Sequence, residues 1–362
     1  MCDNGNMEQS SVNTPVYAVY FRPSYFGSRS GLGPLAEAVG AHKITHGCFW
    51  RSAERIHWRL GDWYRRQGQT YYGSSWNYLM PVVDELRIAR RMNNGEGIAH
   101  FLFAEFAGPR RARPFKKKGH RIVGTFHASP RRQTTVTDGV HLDVYDSISV
   151  VSRCQQPYFI DRGYPASKLH VTLHGVDTTY FRPDSMREGI SEDRPLQGLF
   201  VGSTERDHEF AARLMNVLPD GIMHLSVATT PNPHPAYREV RQVTLLPFLD
   251  DHAMLRAYQQ ADILVMPLLD ATANNAILEA MACGTPVLTN CTGGTPDYID
   301  TSCNYVVEQR DLDEWVAMLV HIAGNRDALA ANRKSVRVWA ESLSWESVAH
   351  QYRAMYRSAL EN

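Results

Sequence analysis

NNAILEAMACGTPVLTNCTGGTPDYI (274–299) carries the reading that decides the fold. Two asparagines open a run of helix formers, Gly284 and Pro286 stop it, a short apolar strand follows, and Gly293-Gly294 lead into another helical turn. Asn at the start and Gly just past the end are the expected N-cap and C-terminal stop of a helix. A strand, DILVMPL (262–268), stands just before it. Strand, helix, strand is the unit of a parallel sheet, and such sheets bind ligands outside the carboxyl ends of their strands. There the helix tip offers unpaired N–H groups and partial positive charge, so the loop suits a diphosphate although it has no Lys or Arg of its own. One acid, Glu279, is read as lying in the first turn. A Glu there stabilises a helix by a few tenths to about 1 kcal/mol with no ligand at all, so alone it favours a structural role. A carboxylate is also an acceptor-only group that fits a vicinal diol such as ribose, at roughly 1.5–3 kcal/mol per bond. Gly293 and Gly294 are expected to let backbone amides approach a ligand closely.

Working outward, β-rich runs alternate with helix-like stretches. In the first half they are PVYAVYF (15–21), GIAHFLF (97–103), RIVGTFH (121–127), SISVVS (147–152) and LHVTL (169–173). In the second half QGLFVG (197–202), IMHLSVA (222–228), QVTLLPF (242–248) and TPVLTN (285–290) join the strand already quoted. This alternation predicts an α/β chain of two doubly wound, Rossmann-like domains facing across a cleft. Between 174 and 196 the sequence turns polar and rich in Gly, Pro and acids, which marks the boundary. Residues 1–13 read as a loose tail, 14–180 as the first domain and 181–343 as the second. SWESVAHQYRAMYRSAL (344–360) reads as a capped amphipathic helix that packs back on the first domain.

With 362 residues, 43% apolar and 21% charged, the chain has enough apolar material for two cores and lacks a disordered composition. No apolar run reaches transmembrane length and the start lacks a cationic-then-apolar leader. Six cysteines are scattered without C-x-x-C spacing. A cytoplasmic protein with reduced thiols and no structural zinc is expected. The net charge of zero hides an asymmetry: residues 1–180 hold 23 Lys+Arg against 14 Asp+Glu, and the remainder 15 against 24. The excess centres on RRARPFKKKGHR (110–121), with Arg131 and Arg132 beyond it. A solvated basic loop and a surface for an anionic acceptor or the inner membrane face, spanning 110–132, are weighed evenly. Trp50, Trp58, Trp63 and Trp76 with neighbouring tyrosines read as packing residues rather than an acceptor wall.

NNAILEAMACGTPVLTNCTGGTPDYI resembles the signature of retaining glycosyltransferases of family 4, which have the GT-B fold. SVVSRCQQPYFIDRGYPASKLHVTLHGVDTTYFRP (149–183), DDHAMLRAYQQADILVMPLL and SWESVAHQYRAMY resemble further segments of that family. The resemblance implies a nucleotide-sugar donor, UDP- or GDP-linked, held mainly by the second domain, and an acceptor held mainly by the first. Glu279 matches the second acid of the family's E-x7-E motif, which binds the nucleotide ribose; the first acid's position is Ala271, beside Asp270. Asn274 and Asn275 fall where the family's backbone amides meet the donor. With Ala276 and Asp270 they are assigned to the sugar and phosphates. After FVG the family has an Arg; here Gly202 is followed by Ser203. GSTERDHEF offers Arg206 instead, with His208 near the usual Lys position, and Arg206 is assigned to the leaving diphosphate. His127, in VGTFHASP, matches a His that the family places beside the reacting sugar. FGSRSGLGPLAEAV (26–39) resembles the family's N-terminal Gly loop, with Gly31 and Gly33 near the donor phosphate or acceptor.

Retaining hydrolysis uses two carboxylates about 5 Å apart, and no persuasive pair is present. The resemblance therefore implies same-face displacement, the departing phosphate oxygen taking the acceptor's proton. No metal is expected, because no ligand cluster with suitable spacing is evident, and no cofactor beyond the nucleotide-sugar co-substrate. The acceptor stays open between a small molecule, a glycan and a lipid-linked hydroxyl; nucleic acid ranks low. A pseudo-glycosyltransferase, a nucleotide-sugar epimerase and a catalytically silent nucleotide-sugar-binding protein are the alternatives.

Overall fold

The computed structural model describes residues 14–19, 29, 31–44, 90, 96–106, 120–137, 142–187, 189–229 and 234–361. The expected tail (1–13), nearly all of the aromatic stretch (50–92) and residues 110–119 of the basic run lie outside them, apart from Arg90. Two six-stranded sheets form the frame, and every strand pair in them is parallel. The first holds β1 (Val16–Val19), β2 (His42–Ile44), β3 (Ile98–Phe101), β4 (Arg121–Phe126), β5 (Ser147–Val150) and β6 (Leu169–Val171), in the order β2-β1-β3-β4-β5-β6. The second holds β7 (Leu196–Val201), β8 (Met223–Ala228), β9 (Val243–Leu245), β10 (Ile263–Met266), β11 (Val287–Asn290) and β12 (Tyr305–Val307), in the order β12-β11-β10-β7-β8-β9. The direction of winding switches between β1 and β3 in one sheet and between β7 and β10 in the other. The crevices beyond the carboxyl ends of these strands are where a doubly wound sheet takes its ligand.

Helices α1 (Gly33–Ala38), α2 (Pro130–Thr137) and α3 (Gln156–Ile160) accompany the first sheet. The second has α4 (His208–Val217), α5 (Asp251–Gln260), α6 (Asn275–Ala282), α7 (Thr295–Tyr298), α8 (Leu312–Ala323) and α9 (Arg326–Ser342). Central strands β3, β5, β10 and β11 are buried at every residue. Their burial at every position, polar side chains included, follows from helices covering both faces. Each sheet accordingly has two apolar clusters, one per face. The observed strands are shorter than the runs read from sequence; QVTLLPF is a strand only over Val243–Leu245, and Pro247 has no N–H to extend the ladder.

The last helix, α10 (Trp345–Glu361), leaves the second sheet and joins the first. Its Tyr352, Met355 and Tyr356 pack with Val16, Leu35 and Val123. Buried His100 of β3 fastens it, one ring nitrogen bonding the Tyr356 hydroxyl at 2.8 Å and the other Thr125 Oγ1 at 2.7 Å. The two chain crossings between the sheets lie side by side: Val176 N–H donates to Leu343 O at 3.0 Å, and Trp345 N–H to Val176 O at 3.3 Å. Gly175 permits this approach, since a Cβ there would stand 2.6 Å from the Trp345 ring. No helix among the described residues is long and apolar enough to cross a membrane.

Candidate active site

The loops after β7 and β10 flank the switch point and are tied together. Leu269 N–H donates to Glu205 O at 3.0 Å and Asp207 N–H to Pro267 O at 2.9 Å. Glu205 holds a left-handed φ of 57°, a conformation that costs a non-glycine residue roughly 1–3 kcal/mol. The turn folds Arg206 back over Gly202, whose φ is 90° and whose added Cβ would lie 3.1 Å from Arg206 Nε. Arg206 donates to Asn274 Oδ1 at 2.8 Å, Thr204 O at 2.6 Å and Val201 O at 3.3 Å. All three acceptors are neutral. Burial lowers the Arg206 pKa to about 10, against the pull of Tyr258, Glu205 and Glu279, so it remains a cation at neutral pH. Ser203 beside it is exposed. His208 adds no charge: buried against Phe200 and bonded to the Tyr237 hydroxyl at 3.1 Å, its pKa falls to about 4.

Helix α6 begins at this cation. Asn274 is its N-cap residue with extended backbone, yet its side chain makes no capping bond. The sequence reading of a side-chain cap is corrected here: Oδ1 goes to Arg206, and the buried Nδ2 has no partner among the described residues. Ala276 is 3% exposed behind it, and Asn275 faces a cleft. Glu279 is the fifth residue of α6 and so lies in the second turn, not the first. The helix dipole is felt within the first turn and does not account for this acid. Only 6% exposed, Glu279 accepts from the Tyr258 hydroxyl at 2.9 Å and lines the cleft. That cleft has about 190 Å³ of empty space, with Gly31, His174, Asp177 and Trp345 among its other walls. Gly31 reaches it with a φ of 83°; Gly33 opens α1 and does not line it. Arg29, not singled out from sequence, also lines the cleft, 3.8 Å from the Asp177 carboxylate.

The first domain contributes the ends of β3 and β4. His127 follows β4, its Nε2 bonded to Leu102 O at 2.8 Å and its ring against Phe103. Since the carbonyl only accepts, Nε2 carries the proton and Nδ1 is the acceptor. Burial, helped by neighbouring His174, lowers the His127 pKa to about 3, and burial takes His174 to about 4. Both rings are neutral near pH 7. Glu105, 2% exposed, accepts from His127 N–H and from Ala128 N–H at 2.7 Å.

A polar seam joins this wall to the second domain. Asp270 Oδ2 accepts from Arg131 N–H at 2.8 Å and Oδ1 from Ala271 N–H at 2.8 Å, so both oxygens are engaged at the seam. Thr272 Oγ1 donates to His127 O at 2.7 Å. Asp297 accepts from Ser152 Oγ at 2.6 Å and Arg153 N–H at 2.8 Å. Arg131 and Arg132 stand 3.6 and 3.8 Å from Glu205, so this part of the basic excess pairs within the chain. Gly293 and Gly294 are closely packed against protein. A Cβ on Gly293 would collide with the Ala271 carbonyl, and one on Gly294 would lie 2.7 Å from Ser152 Oγ. Neither position has room for a side chain.

The structure thus gathers Arg206, Gly202, Asn274, Asn275, Ala276 and Glu279 around one helix tip. It sets His127 across the seam, with Asp270 as a link between the domains. Glu105, Thr272, His174 and Arg29 went unmarked in the sequence. Among the described residues no group of three His, Cys, Asp or Glu is arranged to hold a metal.

Residues 196–325 match the family model for glycosyl transferases group 1. The MMP alpha-(1->4)-mannosyltransferase of Mycolicibacterium hassiacum is 27% identical over 231 residues, covering 59% of this chain. The chain spans about half the length of the curated relatives it matches, 54% for this one. Among solved structures, sucrose-phosphate synthase from Thermosynechococcus elongatus aligns with a TM-score of 0.69 at 17% identity, over 95% of this chain and 98% of that one. Anabaena HepE in complex with UDP-glucose gives 0.68 at 12% identity, over 95% and 99%. The fold is that of the GT-B glycosyltransferases.

Proposed function

We propose that the chain is a retaining glycosyltransferase. It moves a sugar from a UDP- or GDP-linked donor to a hydroxyl acceptor, by same-face displacement and without a metal. The observation that carries this reading is the anchored cation at the tip of α6: Arg206 bonded to Asn274 at 2.8 Å, beside a cleft lined by Glu279. The donor diphosphate sits at the first N–H groups of α6 with Arg206 alongside, where fixed dipoles and a buried charge are most effective. Asn274 Nδ2, buried without a partner, supplies a further donor. Glu279 takes the ribose hydroxyls, its alignment held by Tyr258. His127, neutral and with Nδ1 as acceptor, receives a hydroxyl of the transferred sugar.

In the reaction the bond between the anomeric carbon and the phosphate oxygen breaks, and charge grows on the diphosphate beside Arg206. The acceptor oxygen bonds to the anomeric carbon on the same face, and its proton passes to the departing phosphate oxygen. The protein supplies position and charge stabilisation. The matched glycosyl transferases group 1 model and the family-4 signature support the activity. Incubation with a panel of UDP- and GDP-linked sugars and candidate acceptors, with NMR of the product anomer, tests it. A product of retained configuration is expected; an inverted product, or an isomerised donor with no glycoside, overturns it.

A second reading, a catalytically silent donor-binding protein, is favoured by exposed Ser203 and by the engagement of both Asp270 oxygens at the seam. Slow donor hydrolysis in the absence of acceptor separates the two, since only the transferase shows it.

A further inference from the structure

We propose that Glu105 is the positioning residue for His127, fixing the strand end from which His127 meets the transferred sugar. The inference rests on the transferase reading above and deepens it. From Phe126 O to Ala128 O, every backbone polar group of that strand end is held by a side chain. Glu105 Oε1 accepts both His127 N–H and Ala128 N–H, the latter at 2.7 Å. Gln155 Nε2 donates to Phe126 O at 3.1 Å and to Ala128 O at 2.9 Å. Thr272 Oγ1, reaching from the other domain, donates to His127 O at 2.7 Å. Gln155 is itself fixed, its Oε1 accepting from Val151 and Ser152 N–H at 2.9 and 3.0 Å.

Of the three holders only Glu105 can change charge. It lies in the short turn Ala104–Phe106 after β3, at the switch point of the first sheet. The groups facing it are the neutral His127 at the end of β4, three backbone amides, its own among them, and, further off, Arg132 of α2. Oε2 is buried with no partner among the described residues, so a proton can settle there without breaking either N–H bond. Charge-assisted hydrogen bonds are roughly twice as strong as neutral ones, so the ionised carboxylate grips the strand end hardest. Burial raises the carboxyl pKa to about 7 despite those hydrogen bonds and Arg132. The grip on His127 therefore strengthens as pH rises through neutrality. Donor binding, built mainly on the second domain, follows this change less than turnover does.

The test uses the full chain labelled with ¹⁵N-histidine, as wild type, Glu105→Gln and Glu105→Ala. The His127 backbone amide is followed over about pH 5 to 9, bracketing the shifted carboxyl, and donor KM and kcat are measured in parallel. In the wild type the His127 amide should move with a midpoint near 7. In Glu105→Gln the resonance should shift but no longer titrate. Glu105→Ala should lower kcat by about 10²-fold, the scale of an ångström-sized misplacement, with donor KM little changed. Glu105→Gln should restore most of kcat and erase its pH inflection. A His127 amide that neither titrates in the wild type nor moves in Glu105→Gln overturns the proposal. So does a loss of donor affinity equal to the loss of kcat. Absence of transfer with every donor defeats the transferase reading instead, and the amide titration still decides whether Glu105 holds His127.

Discussion

Arg206 and Asn274 meet across the switch point of the second sheet, guanidinium to side-chain amide at 2.8 Å. The amide and the two backbone carbonyls that Arg206 also bonds are neutral, while the nearby Glu205 and Glu279 favour the charged guanidinium. Replacing Arg206 with Ala should lower kcat by about 10²–10³-fold, the usual effect of losing one group that stabilises transition-state charge. Donor affinity should change less. Arg206→Lys should recover only part, since an ammonium lacks the planar fork that spans three acceptors. Steady-state kinetics decide this; equal losses in affinity and turnover would argue against a leaving-group role.

Gly202 makes room for that guanidinium. With φ at 90° and a Cβ position 3.1 Å from Arg206 Nε, Gly202→Ala combines backbone strain with displacement of the cation. Urea unfolding should show destabilisation of about 1–3 kcal/mol, together with reduced kcat. A neutral substitution would mean that the turn relaxes without moving Arg206.

Acid should destabilise the protein. Buried His100, His174 and His208 and half-buried His127 have pKa values lowered from 6.5 to about 3, 4, 4 and 3. The unfolded chain binds their protons first, so the stability they contribute is present above pH 6.5 and lost as pH falls towards 4. Glu105 has the opposite sign: raised from 4.5 to about 7, it favours the folded state at low pH and loses that contribution as pH rises. Four groups outweigh one between pH 4.5 and 6.5. Thermal melts should show Tm falling on acidification, and falling more steeply in Glu105→Gln.

Asp297 secures the seam through Ser152 and Arg153. The cleft, with about 190 Å³ of empty space, opens between Gly31 of the first domain and Glu279 of the second, and releasing the seam that joins these domains is expected to widen it. Asp297→Ala should enlarge the radius of gyration in solution scattering and speed donor association in stopped flow. An unchanged profile with unchanged association would locate the gate elsewhere.

The doubly wound fold was legible because short β-rich runs alternate with helix-like stretches between turn-forming residues. Strands β2 and β12 were not; β6 and β9, equally short and also at sheet edges, were found because longer β-rich runs contain them. Glu279, Asn274 and Arg206 could be found because the loops bearing them follow strands that flank one switch point. The side chains that hold His127 were hidden. Thr272 lies 145 residues from its partner and Gln155 27 to 29 residues from the carbonyls it bonds. A Glu in AEF has no local signal at all. Local rules misled at Asn274, where a tertiary bond to Arg206 displaced the cap.

The central claim is that the cleft at the tip of α6 holds a nucleotide-sugar by Glu279. Calorimetric titration of UDP- and GDP-linked sugars into wild type and Glu279→Ala tests it most directly. Binding of one nucleotide series to the wild type is expected, weakened about tenfold to a hundredfold in the variant, as loss of a charged hydrogen-bond acceptor implies, with the fold unchanged by circular dichroism. Donor affinity identical in the two proteins would contradict the account.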